Sequence, residues 1–287
     1  MSEKLEIDTK RMISAIVLSI LVLIAAQLVA LFAGDGAAAL GAHEAMGNVI
    51  AAILYPLFTL FGLKAVCNKV LKLSLEDCRI SKYKIKSIWG ISAILLPMLV
   101  VAGFLLVSGH WENPPMSQPQ LVNALTGSIL FIGLAAGFVE EAVFRGVIMK
   151  VLEIRWNKKI AILAPSILFA ALHVIGTKMD FLSFLQLIIA GSVVGILFSL
   201  VTYESGNIWS SALMHSLWNI CMGSGILYIS SEMSPNSIFN YVLHSNSFLL
   251  TGGDFGIEAS CISIAAYLIF ILIALILLRR KHIKFSR

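Results

Sequence analysis

Apolar residues along this chain run in long blocks, parted by short polar or basic segments. A block of about 20 mostly apolar residues has the length of a helix that crosses a bilayer. That rule predicts eight spans, at residues 12–33, 47–63, 88–108, 122–149, 160–176, 181–201, 207–229 and 257–278. The predicted fold class is all-α: a polytopic membrane protein with about eight transmembrane helices, residues 1–287 forming a single membrane domain. No small-residue cleavage site clearly follows the first block, so it reads as a retained helix rather than a signal peptide.

Composition strengthens this picture. Hydrophobic residues make up 59% of the chain and charged ones 13%, against about 25% charged in a soluble domain. The net charge of +5 is no sign of nucleic-acid binding, because the basic residues follow topology. With the N-terminus inside, all but two of the 21 Lys and Arg residues fall in the cytoplasmic segments 1–11, 64–87, 150–159 and 279–287. The exceptions are Lys178 and Arg145. The positive-inside rule then places both ends in the cytoplasm, and an odd number of spans would break the pattern. Trp89, Trp111, Trp156 and Trp209 lie near predicted span ends and read as an aromatic belt. Cys67, Cys78, Cys221 and Cys261 have no CxxC spacing, which supports neither a disulfide framework nor a zinc ribbon.

Against this apolar background a few polar residues stand out. Glu140, Glu141 and Arg145 interrupt the fourth block. Each ionised group at the centre of a bilayer costs about 2.5–3.5 kcal/mol on insertion scales, so such residues are functional candidates. His173 lies in the fifth block, four residues after Phe169; His215 and Asn219 lie in the seventh. Glu141/Arg145, Phe169/His173 and His215/Asn219 are i,i+4 pairs that share a helix face. Glu140 points about 100° away from the Glu141–Arg145 stripe. Arg145 is therefore expected to neutralise Glu141, leaving Glu140 as a carboxylate without a local cation, suited to general acid–base work. From the helical rise, Glu140, His173 and His215 lie ~15, ~20 and ~12 Å from the basic side. Gly137, Gly146, Gly191, Gly195 and the Ala170–Ala171 pair would let backbones approach closely around them.

This set admits three chemistries. Glu140 and His173 could activate a water while His215 and Asn219 stabilise an oxyanion. Glu140, His173 and His215 could instead hold zinc, although there is no His-Glu-x-x-His motif. An intramembrane Glu–His chain could also relay protons or cations.

The ordered motifs Glu140-Glu141-x-x-x-Arg145, Phe169-x-x-x-His173 and His215-x-x-x-Asn219, with the lead-in Gly206-Asn207-Ile208-Trp209, resemble those of the CPBP intramembrane proteases. That group contains the CAAX prenyl endopeptidases of the Rce type and the bacterial Abi bacteriocin-processing and immunity proteins. The resemblance covers roughly residues 122–222. It implies eight helices enclosing an intramembrane catalytic cavity open toward the cytoplasm and lipid. It implies that Glu140 activates water, His173 positions it, and His215 with Asn219 stabilises the oxyanion. Glu141, Arg145 and Phe169 would support them. The family has been described both as zinc-dependent and as glutamate-dependent; the glutamate-dependent form, with no cofactor, is the one expected here. The expected substrate is a membrane protein or lipid-modified peptide, met in the bilayer of a prokaryotic cytoplasmic membrane. The rival reading is a non-proteolytic immunity or transport protein that uses the same polar cluster.

Overall fold

The computed structural model describes residues 7–223 and 225–285, with side chains up to Lys281. Lys4 and Arg287, and the side chains of His282 and Lys284, lie outside the described residues. The chain is 73% helical, and eight helices of 14 residues or more follow one another among the described residues. They are α1 (Thr9–Ala39), α2 (Glu44–Val66, prolonged by a wide turn Cys67–Leu71), α3 (Ser87–Leu105), α4 (Gln118–Arg155), α5 (Lys158–Leu172), α6 (Phe181–Ser205), α7 (Trp209–Met222) and α8 (Cys261–Phe285). Asp8, Asn157 and Asp180 open α1, α5 and α6 as N-caps, each accepting a bond from a backbone N–H of the first turn.

The outward faces are apolar and the inward faces small, the reverse of a soluble helix. The first helix buries Ala15, Ser19, Ala26 and Ala30 and turns Leu21, Leu28 and Phe32 outward, Phe32 being 82% exposed. In α2 Phe61 is 76% exposed. Helices in lipid gain little from hiding Leu or Phe from one another, so small residues line the contacts and large ones face the acyl chains. The protein is an integral, multi-pass membrane protein.

Six of the helices are long and apolar enough to span: α1, α2 with its extension, α3, α4, α6 and α8. The other two predicted blocks form the shorter α5 and α7, of 15 and 14 residues. At 1.5 Å per residue each reaches only about 22 Å, less than the ~30 Å hydrocarbon core. These two carry His173, His215 and Asn219; α5 packs on α6 and the end of α4 with Leu163 and Ile167 turned outward, and α7 packs on α3, α4 and α6.

Two expected boundaries move. The seventh block does not stay helical to residue 229: α7 stops at Met222, and Leu227–Ser230 is a strand, β2. Gly223 and Gly225, the latter at φ +80°, release the helix. The following Leu-Tyr-Ile-Ser run pairs in parallel with β3 (Phe239–Leu243), which pairs antiparallel with β1 (Gly109–Trp111). This small sheet, ordered β1-β3-β2, was not expected from the sequence. The fifth block ends at Leu172, so His173 is its C-cap rather than a mid-span residue.

The basic segments gather at one end of the bundle. Arg79 pairs with Glu153, and Arg155 donates to Thr9 Oγ1 at 3.1 Å. Lys86 Nζ meets Glu204 Oε1 at 2.5 Å, and Lys281 Nζ donates to the Glu204 carbonyl. Trp89 departs from the belt reading: it is fully buried and donates its indole N–H to Glu204 Oε2 at 2.6 Å. Trp111 and Trp156, about half exposed, sit at the surface as a belt would.

Candidate active site

The long helix α4 is not uniform. Wide i→i+5 turns occupy Gly127–Ala136 and Ala142–Ile148, and between them lies a regular α segment, Gly137–Glu141. Such insertions change which face of a helix a residue presents and recur at functional sites. Here they flank Glu140 and Glu141. Gly137 sets how near α7 comes. A Cβ placed on it would lie 2.7–2.9 Å from Ser216, including its backbone N and Cα. Gly137→Val is therefore expected to lower the thermal midpoint by overpacking, at a cost of about 1–3 kcal/mol, with a smaller loss for Gly137→Ala. Thermal unfolding in detergent measures this; an unchanged midpoint would mean that α4 and α7 are not in contact there.

That contact brings His215 against the two carboxylates. Its Nδ1 lies 3.1 Å from Glu141 Oε1, and its Nε2 lies 3.6 Å from Glu140 Oε2. The approximately 100° separation of the two glutamates is used by one imidazole, each nitrogen facing one of them. Arg145 takes the other flank of Glu141, Nη1 to Oε1 at 3.0 Å, with both side chains fully buried. Its Nη2 donates to the Gly195 carbonyl at 3.2 Å. The guanidinium is enclosed by Phe144, Phe169 and Phe198, whose ring centres lie 5.8, 4.8 and 5.4 Å away. Cation–π attraction replaces part of the lost hydration. The expected Glu141–Arg145 pairing is present, but Glu141 also holds His215.

Phe169 is the common wall. Its ring lies 4.5 Å from His173, 5.7 Å from His215 and 5.3 Å from Phe144. His173 Nδ1 lies 2.8 Å from the Phe169 carbonyl. A carbonyl can only accept, so Nδ1 carries the proton and the neutral ring presents Nε2 as an acceptor. Asn219 donates one Nδ2–H to the Ile132 carbonyl at 3.1 Å, and its amide keeps a second N–H.

Glu140, His173, His215 and Asn219 line one cavity of about 290 Å³, together with Phe169, Phe198 and Trp218. Glu141 and Arg145 do not line it; they stand behind His215. The small residues expected around the site do make close approaches. A Cβ on Gly191 would meet Ala170, and one on Gly195 would meet Ser166, which is how α5 lies so near α6. Gly146 instead faces Cys78 and Ile80 of the loop after α2.

Among the described residues no three His, Cys, Asp or Glu side chains converge closely enough to hold a metal ion. Glu140, His173 and His215 do not form such a set here. His215 Nε2 and Glu140 Oε2 lie 3.6 Å apart, but no third such side chain joins them closely enough.

Sequence reasoning missed several cavity residues. Phe198 stacks on the His215 ring at 4.8 Å and 23°. Gln27 of α1 and Glu258, just before α8, also line the cavity. Phe198 has no mark in a chain with 16 phenylalanines. Glu258 sits at a span boundary, where an acid is unremarkable, although its position at the head of an apolar block could have raised it.

Residues 122–221 match the family model of Rce1-like proteins, the type II CAAX prenyl endopeptidases. Over these residues, about a third of the chain, the sequence is similar to Rce1-like proteins. The matched stretch runs from within α4 almost to the end of α7, so it spans every helix that contributes Glu140, His173, His215 or Asn219. Neither a curated protein nor a solved structure matches the chain. A match to that family supports a CAAX-protease-like intramembrane endopeptidase at the level of the family.

Proposed function

We propose that this protein hydrolyses peptide bonds within the membrane by a glutamate-dependent mechanism, on a membrane protein or lipid-modified peptide. The observation that carries this reading is that Glu140, His173, His215 and Asn219, from three helices, line a single cavity. In the proposed reaction a water donates one hydrogen bond to His173 Nε2, and Glu140 takes its other proton as the oxygen attacks the carbonyl carbon. The tetrahedral oxyanion accepts hydrogen bonds from the free N–H of Asn219 and from His215 Nε2–H. His215 donates there as an imidazolium. In that state the charges balance, Glu140 and Glu141 against Arg145 and His215. When Glu140 takes the water's proton its pull on the Nε2–H is released, and that hydrogen becomes available to the oxyanion. Collapse of the intermediate breaks the C–N bond, and Glu140 returns the proton to the leaving amine.

The end of the bundle that collects the basic segments is assigned to the cytoplasm by the positive-inside rule, which puts both termini there. A prokaryotic cytoplasmic membrane fits this assignment.

The test is purified protein in liposomes with a library of membrane-embedded peptides, some prenylated, in the presence of exhaustive chelator. New peptide termini, found by mass spectrometry, are expected with chelator present. No cleavage under any condition would overturn the endopeptidase reading. Cleavage abolished by chelator and restored by zinc would overturn the metal-free mechanism.

A further inference from the structure

Glu258 has no part in the reaction just described, yet it lines the same cavity as Glu140. It lies in the tight turn Ile257–Ala259 that leads into α8. Its Oε2 accepts the Trp218 indole N–H at 2.6 Å, and its backbone carbonyl accepts the Tyr267 hydroxyl at 3.2 Å. The two rings meet edge to face at 5.1 Å. Trp218 follows His215 by three residues and precedes Asn219, so this carboxylate is fixed to the same helix that carries the proposed oxyanion donors.

A structural role as acceptor for Trp218 uses one lone pair of one oxygen. It does not account for the charge. Glu141, Glu153 and Glu204 each have a cation of their own: Arg145, Arg79 and Lys86. Among the described residues Glu258 forms no ion pair, and no Lys or Arg lines the cavity. A carboxylate that lines a cavity without a cation of its own leaves an acceptor oxygen and its charge for a partner that enters the cavity. Trp218 and Tyr267 turn their N–H and O–H edges to Glu258, so it is the carboxylate's free oxygen, not an aromatic face, that favours a cation over a neutral or anionic group.

We infer that Glu258 forms a cation-accepting subsite, so that the substrate is a peptide carrying an ammonium or guanidinium group a few residues from the cleaved bond. The inference rests on the endopeptidase reading for the word substrate, but the recognition itself is separable from cleavage. The group is a lysine or arginine side chain or a free amino terminus.

The experiment uses the full-length protein in nanodiscs and fluorescent peptides identical except at one scanned position, which holds lysine, arginine, norleucine or glutamate. Each is made with a free and an acetylated amino terminus. Binding is measured by anisotropy on the Glu140→Gln background, and cleavage on the unmodified protein. Lysine or arginine at one position, or the free amino terminus, is expected to bind about tenfold tighter than its neutral counterpart, as for a hydrogen bond to a charged group. In Glu258→Gln, which keeps an acceptor for Trp218, this ratio is expected to fall to about one. The matching preference is expected in kcat/KM. Tighter binding of the cationic peptide without cleavage by the unmodified protein would sink the endopeptidase reading and leave the subsite standing. Equal binding of cationic and neutral peptides, absence of binding by all of them, or a preference that survives in Glu258→Gln would overturn the subsite.

Discussion

Glu140→Gln is expected to lower peptide-bond cleavage by about 10²–10⁴-fold, the span of general acid–base contributions, while the thermal midpoint stays close to that of the unmodified protein. The geometry separates the two readouts. Glu140 Oε2 faces His215 Nε2 at 3.6 Å, too long for a strong hydrogen bond, and has no hydrogen-bond partner among the described residues. Gln is nearly isosteric and leaves the helix and the cavity wall in place. It removes the group that would accept the water's proton. The charge balance also changes: with Glu140 neutral, only Glu141 faces Arg145 and His215, and the imidazolium loses one of its two supporting carboxylates. Both effects slow the reaction and neither removes packing. The check is single-turnover cleavage beside a thermal unfolding curve. Full activity in Glu140→Gln would rule out the assigned base. A large fall in midpoint would instead make Glu140 a structural residue.

Arg145→Met should act on stability first. Arg145 and Glu141 are both fully buried, paired at 3.0 Å and walled by three phenylalanines. Removing one member of a buried pair leaves the other charge without compensation, at a cost of about 3–5 kcal/mol. That is a large share of a folding free energy of roughly 5–15 kcal/mol. The pair itself adds little over neutral groups of similar volume, because both charges lose their hydration. The double variant Glu141→Gln/Arg145→Met is therefore expected to regain most of the loss. It should stay poor in activity, because Glu141 also orients His215 through Nδ1. Unfolding of the two single variants and the double variant closes a mutant cycle. A double variant no more stable than Arg145→Met would mean that Arg145 acts through its contacts with Gly195 and the phenylalanine rings, not through its charge.

The apolar blocks were readable from the sequence because the bilayer is a demanding solvent. A segment that crosses it must satisfy its own backbone and show lipid an apolar surface, and both demands appear in composition and length. That sufficed to find every long helix. It also marked Glu140, Glu141 and Arg145, His173, and His215 with Asn219, since polar groups at that depth are too costly to be incidental. The motif order carried the likeness to CPBP proteases, and the Rce1-like match falls on the same stretch.

Other features depend on contacts between residues far apart in the chain. The length rule could not show that α5 and α7 are short, because it reads how far an apolar block runs and not where the helix within it stops. Nor could it show the sheet, whose strands lie at 109–111, 227–230 and 239–243 and pair only when the bundle brings them together. Spacing on one helix suggested that Glu141 belonged to Arg145 and that His215 worked with Asn219. Only the tertiary structure shows His215 between both glutamates, because that geometry depends on Gly137 admitting α7. Trp89 and Phe198 carry no local signal that sets them apart, and Glu258 has only its place at the head of an apolar block. What each does is decided by Glu204, His215 and Trp218, which stand on other helices. Local sequence determined which segments enter the membrane and which polar residues they carry into it. The packing of the helices decided which of those residues meet, because a helix fixes the direction of its side chains but not what lies opposite them.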